Sequence, residues 1–182
     1  MTAEKESLQP PLVSIIIPTY NCAALLREAL DSVLRQSYPN WEAIVINNFS
    51  ADNTKQVVAS FGDSRISLFD FANYGVIAAS RNYGIRFAKG EYVAFLDSDD
   101  LWRPEKLKRC VETLQERDED WVCHGERWFG DGIDKDVVYG PAERASFDQL
   151  LFRGNCISTS AVIVKLEPLK KLGGFQEHVD IV

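Results

Sequence analysis

Apolar positions along this chain fall in two alternating rhythms. Val13-Ser14-Ile15-Ile16-Ile17 is a short, nearly continuous, β-branched run of the kind buried on both faces of a parallel sheet. Residues 41–46, 65–69 and 91–96 repeat the theme as further strands. Between the strands the spacing becomes helical. Ala24, Leu25, Ala29, Leu30, Val33 and Leu34 draw one stripe, and Val57, Val58 and Phe61 draw a second. A third helix, over about 76–88, has small residues at its inner positions, Ala78, Ala79, Ser80 and Gly84, which would let it pack closely on a sheet. Punctuation supports these bounds: Pro18 ends the first strand, Asn21 suits an N-cap, Asn73-Tyr74-Gly75 is a turn, and Gly90 fits a helix C-cap. The order β-α-β-α-β-α-β predicts an α/β layered sheet with right-handed crossovers.

Further along, Leu101 to Pro104 begins an amphipathic helix that runs to Arg117 with Leu107, Val111 and Leu114 inward. Arg117 to Asp120 reads as a solvated turn and Trp121 to Phe129 as one strand. Asp131-Gly132 is a hairpin turn with its return at Val137 to Tyr139. A short helix at 147–152, a strand at 161–164 and a helical turn at 168–172 complete the pattern.

Composition narrows the class. With 182 residues, 46% apolar and 26% charged, the chain suits one globular domain, residues 12–182, behind a polar tail, residues 1–11. A net charge of −7 argues against non-specific nucleic-acid or anionic-membrane binding, although one metal ion can reverse the sign of a small site. Cys22, Cys110, Cys123 and Cys156 are too widely spaced for a zinc site or disulfide framework, and reduced cysteines in a cytosolic protein are expected. The tail lacks the apolar core of a signal peptide, and no apolar run approaches the roughly 18 residues of a membrane span. Gly173-Gly174-Phe175 opens a segment that stops at Val182, so an incomplete C-terminus is expected.

The stretch richest in chemistry is Glu91 to Asp100. An apolar strand ends there in Asp97, Ser98, Asp99 and Asp100, at the sheet edge where open α/β proteins bind ligands. Asp97 and Asp99 can aim oxygens at a common point, and hard donors of that kind suit Mg2+ or Mn2+ carrying a phosphate group. The alternative is that Asp99 or Asp100 caps the following helix, with Pro104 in its first turn. Pro18 to Asn21 and Asn47 to Ser50 end two other strands, and parallel neighbours would bring all three loops to one crevice. Neither a dinucleotide glycine turn nor a phosphate loop is present, so phosphate would be held by metal and side chains, Arg81 being the candidate cation. His124 and His178 are isolated from other metal-type residues and read as ordinary histidines.

Four motifs in order carry a resemblance: Ile16-Ile17-Pro18-Thr19-Tyr20-Asn21, Asn47-Asn48-Phe49-Ser50-Ala51-Asp52-Asn53-Thr54, Ala79-Ser80-Arg81-Asn82-Tyr83-Gly84-Ile85, and Gly90 to Asp100. Together, over about 12–177, they resemble a family 2 glycosyltransferase. The resemblance implies a GT-A fold, a Rossmann-like three-layer sandwich with a mostly parallel central sheet. It implies an inverting transferase that moves a sugar from a nucleoside-diphosphate sugar, a UDP-sugar foremost, to an acceptor hydroxyl on a carbohydrate or lipid-linked acceptor. Polysaccharide or glycolipid synthesis is the implied setting. Carried over by position, Pro18, Thr19 and Tyr20 would line the nucleoside pocket, Arg81 would approach the base or diphosphate, Asp97 the ribose, and Asp99 the metal, Mg2+ or Mn2+. Asn155 to Ser160 would face the acceptor. Asn47 and Asn48 stand where the family usually has two aspartates, and an amide can still pair with a pyrimidine edge. The family's catalytic base follows a Gly-Gly-Phe-x-Glu segment, here Gly173 to Glu177, and would lie beyond Val182; Asp180 comes too early. The expected location is cytoplasmic, with peripheral attachment at the inner face of the membrane through a missing C-terminal part as a variant. Two rivals stand beside this reading: a non-catalytic sugar-nucleotide-binding module, and a sugar nucleotidyltransferase, against which the lack of a basic Gly-rich loop after the first strand counts.

Overall fold

The structure is a computed structural model that describes residues 9–138 and 157–178. Strand β1, Val13–Thr19, is its centre, buried along its whole length. On one side lie β2, Trp41–Asn47, and β3, Ile66–Asp70; on the other lie β4, Tyr92–Phe95, then β8, Val162–Lys165, and β5, Trp121–Cys123. The sheet order is β3-β2-β1-β4-β8-β5, and only β8 runs against the rest. This is the mostly parallel α/β sheet that the sequence pattern predicts.

The period of two along each strand sorts side chains into two cores. Val13, Ile15 and Ile17 of β1, Ala43 and Val45 of β2, and Tyr92 and Ala94 of β4 face α1, Ala23–Leu34, and α4, Lys106–Arg117, through Leu26, Leu30, Leu107 and Leu114. Ile16, Ile44, Ile46, Val93 and Phe95 face the other way. There they meet Ile85 of α3, Ile77–Phe87, and Leu166 of α5, Leu166–Lys171. The result is three layers. Ile15, Ile16 and Ile17 are fully buried, and each contributes about 1.5–3 kcal/mol by leaving water. A one-residue slip would exchange the two faces, so the register is fixed.

Ser14 is the polar exception inside β1, and it is satisfied. Its hydroxyl donates to Glu42 Oε1 at 2.7 Å and accepts from the amides of Lys89 and Gly90. Gly84 lets α3 approach β1, since a Cβ there would lie 2.7 Å from Ile16 Cγ2. The remaining helix, α2, spans Thr54–Ser60.

Several sequence expectations are corrected. Gly90 caps no helix: α3 ends at Phe87 with Ala88 as its extended C-cap residue, and Gly90 is where the chain crosses the start of β1, with Leu12 O and Ser14 N in the space of a side chain. Asn21 does not cap α1; it takes φ 50° and bonds the neighbouring loop, while Asp52 Oδ2 accepts the Ala23 amide at 2.9 Å. Pro18 does not end β1, which continues through Thr19 alongside β2. Neither Asp99 nor Asp100 caps α4, whose N-cap residue is Glu105, one place after Pro104.

The run 121–129 is two strands. A 3-10 turn at Thr159–Ala161 diverts the chain leading into β8, so the ladder stops at the Cys123–Val162 pair. β6, Glu126–Gly130, therefore pairs with β7, Ile133–Val137, in a separate hairpin. Asp131 and Gly132, at φ 47° and 80°, form its turn, as the sequence predicts. Tyr139, the helix expected at 147–152, Asn155, Cys156 and Asp180 lie outside the described residues.

Gly90→Ala tests the crossing. The contacts are backbone atoms that cannot swing away, so the expected loss is about 1–3 kcal/mol, read as a lower urea midpoint with an unchanged slope.

Candidate functional site

The sheet order changes direction between β1 and β4, since successive strands step one way from β1 and then jump to its other side. Ligands bind at such a switch point, outside the carboxyl ends of the strands. The ladder between these strands ends at the Ile16–Phe95 pair, with a last bond from Leu96 N to Ile16 O. Even-numbered residues of β1 point their backbone groups toward β4, and the next of these, Pro18, has no N–H. From there the two strand ends part.

Four loops surround the gap, and side chains tie them together. The Asn21 amide donates to Ser50 Oγ, and Asn21 Oδ1 accepts the Ala51 amide at 2.7 Å. Asp52 spans the same two loops, taking the Ala23 amide on one oxygen and the Thr54 amide and hydroxyl on the other. These bonds, that from Thr54 Oγ1 above all, hold its carboxyl below the usual range. Asn48 Oδ1 accepts the Asn73 amide, and Asn73 Nδ2 donates to Ser80 Oγ of α3. Cys22 Sγ lies 3.2 Å from Ser98 Oγ and closes the rim against the acidic loop. Asn21, Phe49 and Tyr74 each take φ 50°, one per loop. For Phe49 and Tyr74 this is a costly conformation, and both rings are exposed, as is Tyr20.

The structure brings Arg81 and Asp97 into contact, with Nη2 to Oδ1 at 2.7 Å. The guanidinium also lies over the Phe175 ring, and its buried Nε has no hydrogen-bond partner among the described residues. Ser160 is the floor of the acidic loop. Its hydroxyl accepts the Asp97 amide at 3.0 Å and bonds the Asp100 carboxyl, and its carbonyl accepts Trp102 Nε1 at 2.9 Å. Ser160 is thus turned inward rather than toward an acceptor. Burial pushes the Asp100 carboxyl up, the Ser160 bond opposes the shift, and the nearby Asp99 and Asp97 charges add to it. Asp99 is exposed and makes no ion pair among the described residues. Those residues contain no group of three or more metal-type side chains.

Asn47 and Asn48 part company. Asn47 is fully buried: Nδ2 donates to Asp70 Oδ1 at 2.7 Å and Oδ1 accepts the Ser50 amide. Asp70 is also paired with Lys55, and that bond is the main cause of its lowered carboxyl range. Asn47 therefore belongs to the frame. Asn48 keeps Nδ2 without a partner among the described residues, at the crevice edge. Pro18 and Thr19 are buried in β1, leaving Tyr20 as the side chain presented by the first loop.

Asn82 is a residue that the sequence pattern does not single out. One turn-face of α3 reaches the Gly173–Glu177 segment through it: Nδ2 donates to Phe175 O at 2.8 Å and Glu177 Oε1 at 2.7 Å, and Oδ1 accepts the Phe175 amide. A Cβ on Gly174 would fall 2.4 Å from that Oδ1, which together with φ 77° requires glycine. The signal was available only as two motifs far apart in sequence.

A mostly parallel α/β sheet with an acidic loop and a paired arginine at its switch point is the GT-A architecture. The chain belongs to glycosyl transferase family 2, whose family model matches residues 14–162. It is 44% identical over 103 residues to the Escherichia coli UDP-Glc:alpha-D-GlcNAc-diphosphoundecaprenol beta-1,3-glucosyltransferase WfgD, covering 57% of this chain and 41% of that protein. It is 39% identical over 109 residues to the putative teichuronic acid biosynthesis glycosyltransferase TuaG of Bacillus subtilis, covering 59% and 43%. The chain thus spans about two fifths of those relatives. Among solved structures, the Pyrobaculum calidifontis mannosyltransferase PcManGT, in complex with GDP-Man and Mn2+, matches with TM-score 0.71 and 25% identity over 96% of this chain and 50% of that one. S. aureus TarS 1-349 in complex with UDP-GlcNAc shares the fold at TM-score 0.71 and 24% identity, over 88% and 47%. No helix among the described residues is long and apolar enough to cross a membrane.

Two substitutions test the site's frame. Asn47→Asp would place a second carboxylate against Asp70, so it is expected to cost about 1–3 kcal/mol at pH 7, less toward pH 4 as one carboxyl protonates, and to be rescued by Asp70→Asn; urea titrations of the three variants decide. Asn82→Ala should free the Gly173–Glu177 segment by about 1–3 kcal/mol, seen as faster hydrogen exchange at the Phe175 amide with the sheet amides unchanged.

Proposed function

We propose that this chain is the donor-binding portion of an inverting glycosyltransferase that moves a sugar from a nucleoside-diphosphate sugar, a UDP-sugar foremost, to an acceptor hydroxyl in polysaccharide or glycolipid synthesis. The observation that carries the reading is the Arg81–Asp97 pair beside exposed Asp99 at the β1–β4 gap. Arg81 keeps a buried, unpartnered Nε, a donor that an anionic ligand would satisfy. The relatives support the substrate class: WfgD is named for UDP-Glc, and PcManGT was solved with GDP-Man.

The residues fit a divalent ion of the Mg2+ or Mn2+ kind. Such ions are held by one or two carboxylates plus substrate phosphates and water, so a single free carboxylate at Asp99 suffices where a cage of three is absent. When bound, the metal would supply Lewis-acid stabilisation of the diphosphate as it leaves. The chain's own groups divide the remaining work. Asp97, fixed by Arg81 and by the hydrogen bond its backbone N–H donates to Ser160 Oγ, offers its second oxygen to a ribose hydroxyl. Arg81 adds positive charge near the phosphates. Asn48 Nδ2 donates to a carbonyl on the base edge, and exposed Tyr20 offers a ring beside it. Pro18, Thr19 and Asn47 set the pocket's shape from below. Inversion requires a general base on the face of the sugar opposite the diphosphate. No residue of this chain is assigned that role.

Calorimetry with UDP and Mn2+ tests the reading. The expected result is metal-dependent binding that EDTA abolishes, GDP binding at least tenfold weaker, and Asp99→Ala lowering UDP affinity by about tenfold or more. Metal-independent binding, equal in wild type and Asp99→Ala, would remove Asp99 from the site. No binding of either nucleotide to the folded protein would sink the donor reading.

A further inference from the structure

Behind the acidic loop lies a titratable side chain that the donor site does not use. Lys106 begins α4, is 7% exposed, and its Nζ is buried with no hydrogen-bond partner among the described residues. An ammonium withdrawn from water needs a compensating partner. The group in place is the face of Trp102, with Nζ 3.6 Å from the ring centroid. That is a close cation–π geometry, a contact that strengthens when water is excluded. The titratable groups that act on the amine are Cys110 on α4, Cys123 at the end of β5, and His124 just after it; Glu126 acts on His124 in turn. Burial pushes the Cys110 thiol up and the His124 ring down, so both are neutral near pH 7.

Trp102 is itself anchored at both ends. Its backbone amide donates to Ser32 Oγ at 3.1 Å and its Nε1 to Ser160 O at 2.9 Å. Ser160 in turn holds the Asp97 amide and the Asp100 carboxyl. A chain of three contacts therefore runs from Lys106 Nζ to the loop that the donor reading places on the nucleotide.

We infer that Lys106 is a positioning residue for donor binding: its ammonium fixes the indole of Trp102, the indole N–H fixes Ser160, and Ser160 fixes Asp97 and Asp100. The inference rests on the donor site proposed above. Burial lowers the Lys106 amine to about 7, so its charge changes in the neutral range while the side chain stays in place. Protonated, the amine is attracted by the ring quadrupole, and it draws electron density that makes the indole N–H a stronger donor. Neutral, it exerts neither effect. The grip on the acidic loop is tighter below pH 7 and slacker above it.

The test uses 5-fluorotryptophan and fluorine NMR on the whole chain, whose four tryptophans give four resonances, that of Trp102 assigned with Trp102→Phe. Between pH 5.5 and 9 the Trp102 signal is expected to shift with a midpoint near 7 in the wild type and to lose that step in Lys106→Met. Any His124 step would fall at lower pH and persist in the variant. In parallel, UDP affinity with Mn2+ is measured for both proteins at pH 6.5 and 8.5, the ratio cancelling titration of UDP and metal. We expect the wild type to bind about tenfold tighter at pH 6.5 and within about twofold at pH 8.5. A Trp102 signal without a Lys106-dependent step, or a ratio that does not change with pH, overturns the inference. If Lys106→Met does not fold, the wild-type titration still decides whether Trp102 senses an amine near pH 7. Absence of UDP binding at both pH values overturns the donor reading and the link to it, while the fluorine titration alone decides the Lys106–Trp102 part.

Discussion

A parallel ladder that must stop is the constraint from which the rest of this structure follows. β1 and β4 share backbone bonds only as far as Ile16 and Phe95, and Pro18 has no N–H to continue on that side. On its other side β1 runs on beside β2 through Thr19. The sheet is therefore continuous on one flank and open on the other at the same height. Extending the β1–β4 ladder by two residues would draw Asp97 into the sheet. Stopping it leaves Asp97 at a gap that Arg81, on the helix leading into β4, can reach.

An open gap needs a stiff rim, because loops carry little packing of their own. Here the stiffness comes from short polar side chains. Asn21, Asn48, Asp52 and Asn73 each bond a neighbouring loop or helix start. Their amides and carboxylates replace backbone pairing that the strand ends have given up. The same logic explains Asn47. It lies against Asp70, which is bound to Lys55, so a neutral donor is required at 47 where an acid would meet an acid. An amide at 47 is thus matched within the frame, while Asn48 keeps its Nδ2 at the crevice edge.

How much of this was legible in the sequence follows from range. β1, β2, β4 and the stripe of α4 were readable because periodicity is local and their burial is nearly complete. The place of the acidic loop was readable because its three carboxylates directly follow an apolar strand. Glycine and asparagine were misread at Gly90 and Asn21 because local rules assign them to caps, whereas here one is needed for a crossing with β1 and the other for a tie between loops. The break in 121–129 depends on where the chain turns before β8, some thirty residues later, and no local pattern carries that. Ser160 was read as facing an acceptor and Asn82 was given no role for the same reason: their partners lie 63 and 93 or more positions away.

Those long contacts also explain why the motifs come as a set. Asn82 sits one position after Arg81 on α3, so its side chain leaves the helix about 100° away and reaches Phe175 while Arg81 reaches Asp97. Phe175 then packs edge-on against Phe95 and lies beneath the Arg81 guanidinium. The Gly-Gly-Phe segment thereby lies beside Arg81 and continues the core under β4. The segment and the arginine are thus joined through one helix and one ring. Local loops alone could not give that coupling. It requires α3 to stand close to β1, which the small side of Gly84 against Ile16 permits.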